Sequence, residues 1–417
     1  MENFTPRKTY SRLALALLAI VPVKPARADG DLNALVDSAV QTSLVRLEKS
    51  VREVGGPALY PTYGTPQLRW QLKPASDWTS GFYPGCLWRA YEISRDPRFA
   101  GWAREWTAGI EGEKSNTDTH DLGFRFMCSF GNGIRLAPGP ENRRYKEAMI
   151  AAAETLARRF NPRVGALSSN WDMAPVGNSF PVVVDIMMNL ELLFWTAENG
   201  GPADLAVLAR THALTTGRDF VRPDGGTYHV VRYNPDTGRV INRGTLQGAG
   251  PETTWSRGQA WGIYGMVVAY RYTHDQQFLD LAIKLADYFL GHLPADHVAP
   301  WDFQSEIKYR DVSAAAITAS ALFELARYGD DAALRRRYES GAEAMLASLC
   351  QPPYLVTRTD SNCLLDHSVQ FLPIHSNVDV PAIFADYYFL EAITRFRARQ
   401  AQSGEARTKT PAGNSKS

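Results

Sequence analysis

The chain has 417 residues, 45% of them hydrophobic and 21% charged, with a formal net charge of +1. This is an ordinary globular composition with length enough for a large core. Lys and Arg are scattered among acids, so the sequence carries no electrostatic footprint for nucleic acid.

Arg7, Lys8 and Arg12 precede a short apolar run, LALALLAIVPV at 13–23, and Ala26-Arg27-Ala28 reads as a cleavage signal. Residues 1–28 are therefore expected to be a signal peptide, with Asp29 the first residue of an exported chain, periplasmic or secreted. The apolar run falls short of the ~20 residues of a spanning helix, and no later segment is long and apolar enough. No stable membrane insertion is expected after cleavage.

Apolar residues spaced i, i+3, i+4 and i+7 predict helices at 31–54, 80–95, 97–112, 121–135, 141–160, 180–198, 203–219, 257–274, 276–292, 312–329, 332–349 and 380–398. Only GGTYHVVRYNPDTGRV (225–240) alternates as strands do, around an Asn-Pro-Asp-Thr-Gly turn, and reads as a small hairpin. EAMIAAAETLARRF (147–160) and DLAIKLADYFLGHL (280–293) carry a one-sided apolar stripe, whereas VVVDIMMNLELLFW (182–195) is apolar nearly all round. A helix apolar on every side must be covered on every side. Alternation of the two kinds suggests an outer ring of helices around an inner one.

WTSGFYPGCLWRAYEISRDPRF (78–99) and WSRGQAWGIYGMVVAYRYTHDQQF (255–278) share W-[TS]-x-G-x-x-x-G, then Ala-Tyr, then Phe, with a two-residue slip. Each reads as loop, inner helix, turn and the start of an outer helix. Six such pairs closing on themselves give an all-α (α/α)6 toroid, a six-hairpin barrel with a small β-hairpin insertion. An open helical solenoid and a two-domain bundle are the alternatives. Residues 29–400 contain no Pro- or Ser-rich linker and are read as one domain; 401–417 lack an apolar face and are expected to be disordered.

In such a ring the inner helices all start at one end, and the polar oddities collect there: Asp77-Trp78, His120-Asp121, Trp255 with Arg257 and Gln259, Arg310-Asp311, and Asn377 with Asp379. Helix N-termini suit an anionic ligand. Asp185 is the most unusual acid, flanked by apolar residues in PVVVDIMMNLELLFW. Burial disfavours a carboxylate and raises its pKa, the condition for a proton donor near neutrality, although a structural partner would also account for it. Asp121 and Asp118, in NTDTHDLGF, stand where caps are common. His120 lacks a second ligand at i+4, so neither a metal nor a cofactor is expected. Trp78, Trp171, Trp255 and Trp261 fall beside Gly and polar residues at the loop end, where flat faces stack on sugars; Trp88, Trp102, Trp106 and Trp195 fall on core stripes. The four cysteines lack metal-ligand spacing. Cys350 and Cys363 are closest in sequence and an exported protein could oxidise them, while Cys86 and Cys128 read as small buried hydrophobes.

Taken in order, WTSGFYPG, DTHDLGF, VVVDIMMNLELLFW, WSRGQAWGIYG, WDF with RDVSAAA, and LLDHS with VDVPAIFADYYFLEA resemble the unsaturated glucuronyl hydrolases of glycoside hydrolase family 88, over about residues 76–395. The resemblance implies an (α/α)6 barrel acting on the unsaturated uronate that polysaccharide lyases leave on an oligosaccharide. The reaction it implies is hydration of the C4=C5 double bond, followed by ring opening and release of the aglycone. It also implies Asp185 as catalytic acid/base and Asp121 as the second carboxylate, with Asp118 the alternative for that place. His120, His229, Gln247, Arg257, Trp261, Trp78, Trp171 and Trp255 would line the substrate pocket. Glu191 stands where the family more often has Pro, and no Lys follows NVDVP, near where some relatives bind sulfate. Two other readings stay open: a related toroidal glycosidase for unsaturated rhamnogalacturonyl or ulvan-type oligosaccharides, and a sugar-binding protein without catalysis.

Overall fold

The computed structural model describes residues 29–169, 176–329 and 331–409, with side chains over 32–402 of these. The expected signal peptide and Trp171 lie outside the described residues.

Thirteen helical segments carry the described chain. Those of the inner ring are α2 (Phe82–Ser94), α4 (Leu122–Phe126) continued through a wide π turn by α5 (Asn132–Leu136), α7 (Leu190–Glu198), α9 (Ser256–Thr273), α11 (Val312–Leu325) and α13 (Ile383–Lys409). Each packs on the next, and α13 packs back on α2, closing the circle. Outside them lie α1 (Asp29–Val54), α3 (Pro97–Ile110), α6 (Asn142–Ala157), α8 (Asp204–Asp219), α10 (Gln276–Gly291) and α12 (Ala332–Leu349). The (α/α)6 toroid expected from alternating apolar patterns is thus the fold.

Local chemistry sets the corners. Asp96 caps α3 by accepting from the Arg98 N–H at 2.9 Å, with Pro97 in the first turn; Asp275 caps α10 from the Gln277 N–H at 3.1 Å, and Asp331 caps α12 from the Ala333 N–H at 2.9 Å. The two sequence copies meet the same corner: Arg95 and His274 close α2 and α9 in the left-handed region, at φ 59° and 52°, and each is followed by its capping Asp. The shared Gly of the copies has a reason too. A Cβ on Gly81 would meet the Arg125 carbonyl oxygen at 2.4 Å, and one on Gly258 the Trp255 ring at 2.6 Å, so both let a neighbour lie against the first turn of an inner helix.

The core runs round the inner ring. α11 is buried along its whole length, and Phe82, Phe126, Phe130 and Trp88 are fully enclosed. Truncating one of these aromatic side chains to Ala would cost about 3–5 kcal/mol. At the end where the inner helices finish, Arg271 binds Glu324 through two bonds of 2.6 and 2.7 Å and also pairs with Glu191, Arg395 reaches Glu324 at 2.7 Å, and Arg89 pairs with Glu391. Arginines at helix C-termini also complement the dipole. Glu191 thereby finds its counter-ion at the wall of a cavity of about 820 Å3 that opens at this end.

Two expectations need correcting. The stretch 180–198 is not one helix: Phe180–Val183 is a strand, Val184–Asn189 a 3-10 turn, and only Leu190–Glu198 is α-helical. Strand and helix share a continuous apolar run there, and the strand is fixed by antiparallel pairing with Val230–Tyr233, far along the chain. The hairpin is real, Val230–Tyr233 with Val240–Gly244, but three further two-stranded sheets accompany it, of which Tyr60–Gly64 with Trp70–Lys73 and Ser368–Phe371 with Ser376–Val380 border the inner-helix starts. Their strands are too short to show alternation. The last ring helix, α13, is anchored by its first half between α11 and α2.

Candidate active site

The starts of the inner helices converge at the opposite end from the arginine network. Asp121 is the residue before α4, and its carboxylate makes no capping bond; Thr119 Oγ1 donates to its Oδ2 at 3.4 Å, and the His120 Nε2 lies 3.5 Å from its Oδ1. Arg125, one turn on, faces it electrostatically. Asp121 is 14% exposed at its side chain, whereas Asp118 is exposed to solvent and interacts with Arg159 at the surface. The structure therefore brings Asp121, and not Asp118, to the other acid.

Asp185 opens the 3-10 turn that leads into α7. The bond from the Val184 N–H to the His229 carbonyl, 3.0 Å, fixes this turn to the sheet. Its Oδ1 is buried without a hydrogen-bond partner among the described residues. Burial pushes the carboxyl up to about 7, opposed by the Arg257 charge and reinforced by the Asp121 charge.

His229 is buried beside it, with Nε2 3.9 Å from the Asp185 Oδ1. Its Nδ1 accepts from two backbone N–H groups, Leu246 at 3.1 Å and Gln247 at 3.2 Å. An Nδ1 so engaged carries no proton, so the neutral ring holds its proton on Nε2, toward the acid. Burial, with the Arg257 charge, depresses its pKa to about 3, which keeps the ring neutral.

The remaining predicted residues join this cluster. The Trp255 ring lies tilted against His229, 4.4 Å between centroids, and 4.6 Å beneath the Arg257 guanidinium. Arg257 in turn sits 5.3 Å from the Phe384 ring, which meets Trp78 at 5.2 Å. Trp78 contacts Phe124 at 5.7 Å, and Phe124 contacts Trp261 at 5.0 Å. Gln247 reaches Arg257 at 2.7 Å. Trp255 and Trp261 are 2% and 1% exposed and form floor and wall, while Trp78 keeps a partly open face. Of the named pocket residues only Trp171 lies outside the described residues.

Sequence reading missed Tyr63, which the first hairpin carries against Phe384 at 5.9 Å, because a five-residue strand gives no periodic signal. It also missed that Arg310 turns away to Asp296, at 2.8 Å, while Asp311 turns inward to Arg257. The Asp before VSAAA is a capping signal, and that much was visible. All four cysteines are buried free thiols, so Cys350 and Cys363 are not joined. Among the described residues no group of three or more His, Cys, Asp or Glu side chains is arranged to hold a metal ion, and no helix is long and apolar enough to cross a membrane.

An acid buried near neutrality, a second carboxylate at its side, and aromatic faces at the mouth of a helical toroid define a sugar-processing hydrolase site. No family model matches the chain. An unsaturated glucuronyl hydrolase of Formosa agariphila is 41% identical over 328 residues, covering 77% of this chain and 80% of that one. The crystal structure of an unsaturated glucuronyl hydrolase specific for heparin superposes with a TM-score of 0.84 at 35% identity, over 88% of this chain and 98% of that one. A further structure of such an enzyme, with dGlcA-Glc-Rha-Glc, gives a TM-score of 0.81 at 30% identity, over 86% and 96% of the two chains. The chain belongs to the unsaturated glucuronyl hydrolases, glycoside hydrolase family 88.

Proposed function

We propose that this protein hydrates the C4=C5 double bond of an unsaturated glucuronate at the non-reducing end of a lyase product, with Asp185 as acid and then base. The observation that carries this reading is the Asp185 carboxyl, held near neutrality by burial and free of any protein hydrogen bond at Oδ1. The protonated carboxyl delivers its proton to C4 of the enol ether. Positive charge then develops at C5, where the ring oxygen shares it. The Asp185 carboxylate takes a proton from water as the water oxygen bonds to C5, giving a hemiketal. Opening of the hemiketal exposes C1 as a hemiacetal, from which the aglycone leaves.

Asp121 has two parts in this scheme: its charge keeps the Asp185 proton in place near neutral pH, and it accepts from sugar hydroxyls. The neutral His229 offers its Nε2–H beside the acid, and Trp78 offers a face for stacking. A non-catalytic sugar-binding role gives no reason for an acid with one buried oxygen left without a partner and held near neutrality. No Lys follows NVDVP, so sulfated sugars gain no lysine contact from this segment. Export rests on the N-terminal signal, and N-terminal sequencing of protein recovered from the periplasm would begin at Asp29 if it is right.

The double bond conjugated to the carboxylate absorbs in the ultraviolet, and hydration abolishes the band. Loss of absorbance from unsaturated disaccharides supports the reading and sorts the substrates. Persistent absorbance across the panel with folded protein would overturn it.

A further inference from the structure

Arg257 was expected to line the substrate pocket, and most of its guanidinium is already committed within the protein. Nη1 donates to the Asp311 Oδ2 at 2.8 Å and to the Val369 carbonyl at 2.5 Å, and Nη2 donates to the Gln247 Oε1 at 2.7 Å and to the Gln370 carbonyl at 2.9 Å. Four of its five N–H groups are thereby used within the protein. The group held by this arrangement is the Gln247 amide. A guanidinium presents only donors, so the atom of Gln247 that faces it must be the oxygen. The NH2 branch is then turned away from Arg257 and has no protein partner among the described bonds, while the Gln247 backbone N–H is fixed to His229 beside Asp185.

Asp311 anchors the arrangement. It is fully buried, and its two oxygens divide the work: Oδ1 accepts from the Ser313 N–H at 3.1 Å and caps α11, while Oδ2 binds Arg257. We propose that Asp311 is a positioning residue that acts through Arg257 to fix which end of the Gln247 amide faces the cleft, so that Gln247 donates to an oxygen of the substrate. This rests on the sugar-hydrating reading and adds to it how the sugar is oriented. Arg257 acts within it as a fixed strut and a source of positive field.

Asp311→Asn tests it, because Asn keeps a cap oxygen for the Ser313 N–H yet removes the charge that holds Arg257. The expected result is a KM for the unsaturated disaccharide raised roughly tenfold, with kcat changed by less than about threefold. An Asp311 that only capped α11 would leave KM unaltered, and that result overturns the proposal. Should this variant not fold, Gln247→Glu serves without touching the cap. One Glu oxygen still accepts from Arg257 and the other replaces the NH2 donor, so KM rises at least about tenfold for the free uronate and less for its methyl ester. An unchanged KM for the free uronate overturns the proposal here too. If the unmodified protein leaves all unsaturated substrates intact, the hydration reading fails first, and the Kd of the same disaccharide, measured by calorimetry, carries the comparison among the variants.

Discussion

The Asp185 Oδ1 lies 3.9 Å from the His229 Nε2, and the imidazole is held with that nitrogen protonated because two backbone N–H groups occupy the other. The acid is thus approached by a neutral donor, which leaves its own proton in place where a cation would have expelled it.

Replacing Asp185 by Asn removes the proton donor at nearly constant shape. Turnover of the unsaturated disaccharide should fall at least about a thousandfold, read by the rate of ultraviolet loss. The same change should not harm the fold. The Asp185 pKa is raised to about 7 in the native state from an ordinary value near 4, so native protein binds the proton more tightly than the unfolded chain does. Stability from this group is full below about pH 4 and is lost as pH rises to about 7. The Asn variant should therefore be more stable than the parent at pH 8, by up to about 4 kcal/mol, and close to the parent at pH 4. A variant that melts well below the parent at pH 8 would contradict the burial argument.

The pH profile of kcat/KM should fall on the alkaline side with an apparent pKa near 7, as the Asp185 proton is lost. Because the Asp121 charge helps to hold that proton, Asp121→Asn should lower the Asp185 pKa and move this limb to lower pH, besides reducing the rate. A limb that stays in place would mean the two acids are not coupled.

Asp118 and Asp121 are three residues apart and differ in kind. Asp118→Asn, at an exposed position, should leave kcat/KM within about twofold and the melting temperature nearly unchanged. Comparable damage from both Asn variants would show that the loop, and not one carboxylate, matters.

At the far end of the toroid, Glu324→Gln removes the negative charge that Arg271 and Arg395 share in a buried setting and replaces one accepting oxygen by a donor. Such a loss costs about 3–5 kcal/mol, which denaturant titration would register. The KM of the folded fraction should not move, since the network lies away from the inner-helix starts. A change in KM at full stability would assign this network to substrate binding.

Much of this was legible before any coordinates, for physical reasons that differ from residue to residue. Asp185 could be picked out because an acid among valines, isoleucine and methionines has no inexpensive explanation. Trp78 and Trp255 could be paired because two copies of one helix-loop unit repeat the pattern W-[TS]-x-G at 78–81 and 255–258. The strand at Phe180–Val183 was hidden, since VVVDIMMN reads alike as buried strand or buried helix until its partner at Val230–Tyr233 is known. The Arg257 partners were hidden for a like reason: Asp311, Val369 and Gln370 lie far along the chain, and hydrogen bonds across such distances leave no local pattern. Asp118 and Asp121 are alike as loop acids; the resemblance favoured Asp121 with Asp118 as the alternative, and their exposure separates them.

The ring is closed by α13, which packs between α11 and α2 and brings Phe384 against Trp78 and Arg257. It is also the last of the six inner helices in chain order. Both acids, the tryptophans and the Arg257 strut are synthesised well before it, yet the circle that seats them has a missing stave until α13 is made. Competence therefore arrives late and all at once, and a chain ended ahead of Ile383 would carry every acid of the mechanism in a barrel without its closing wall.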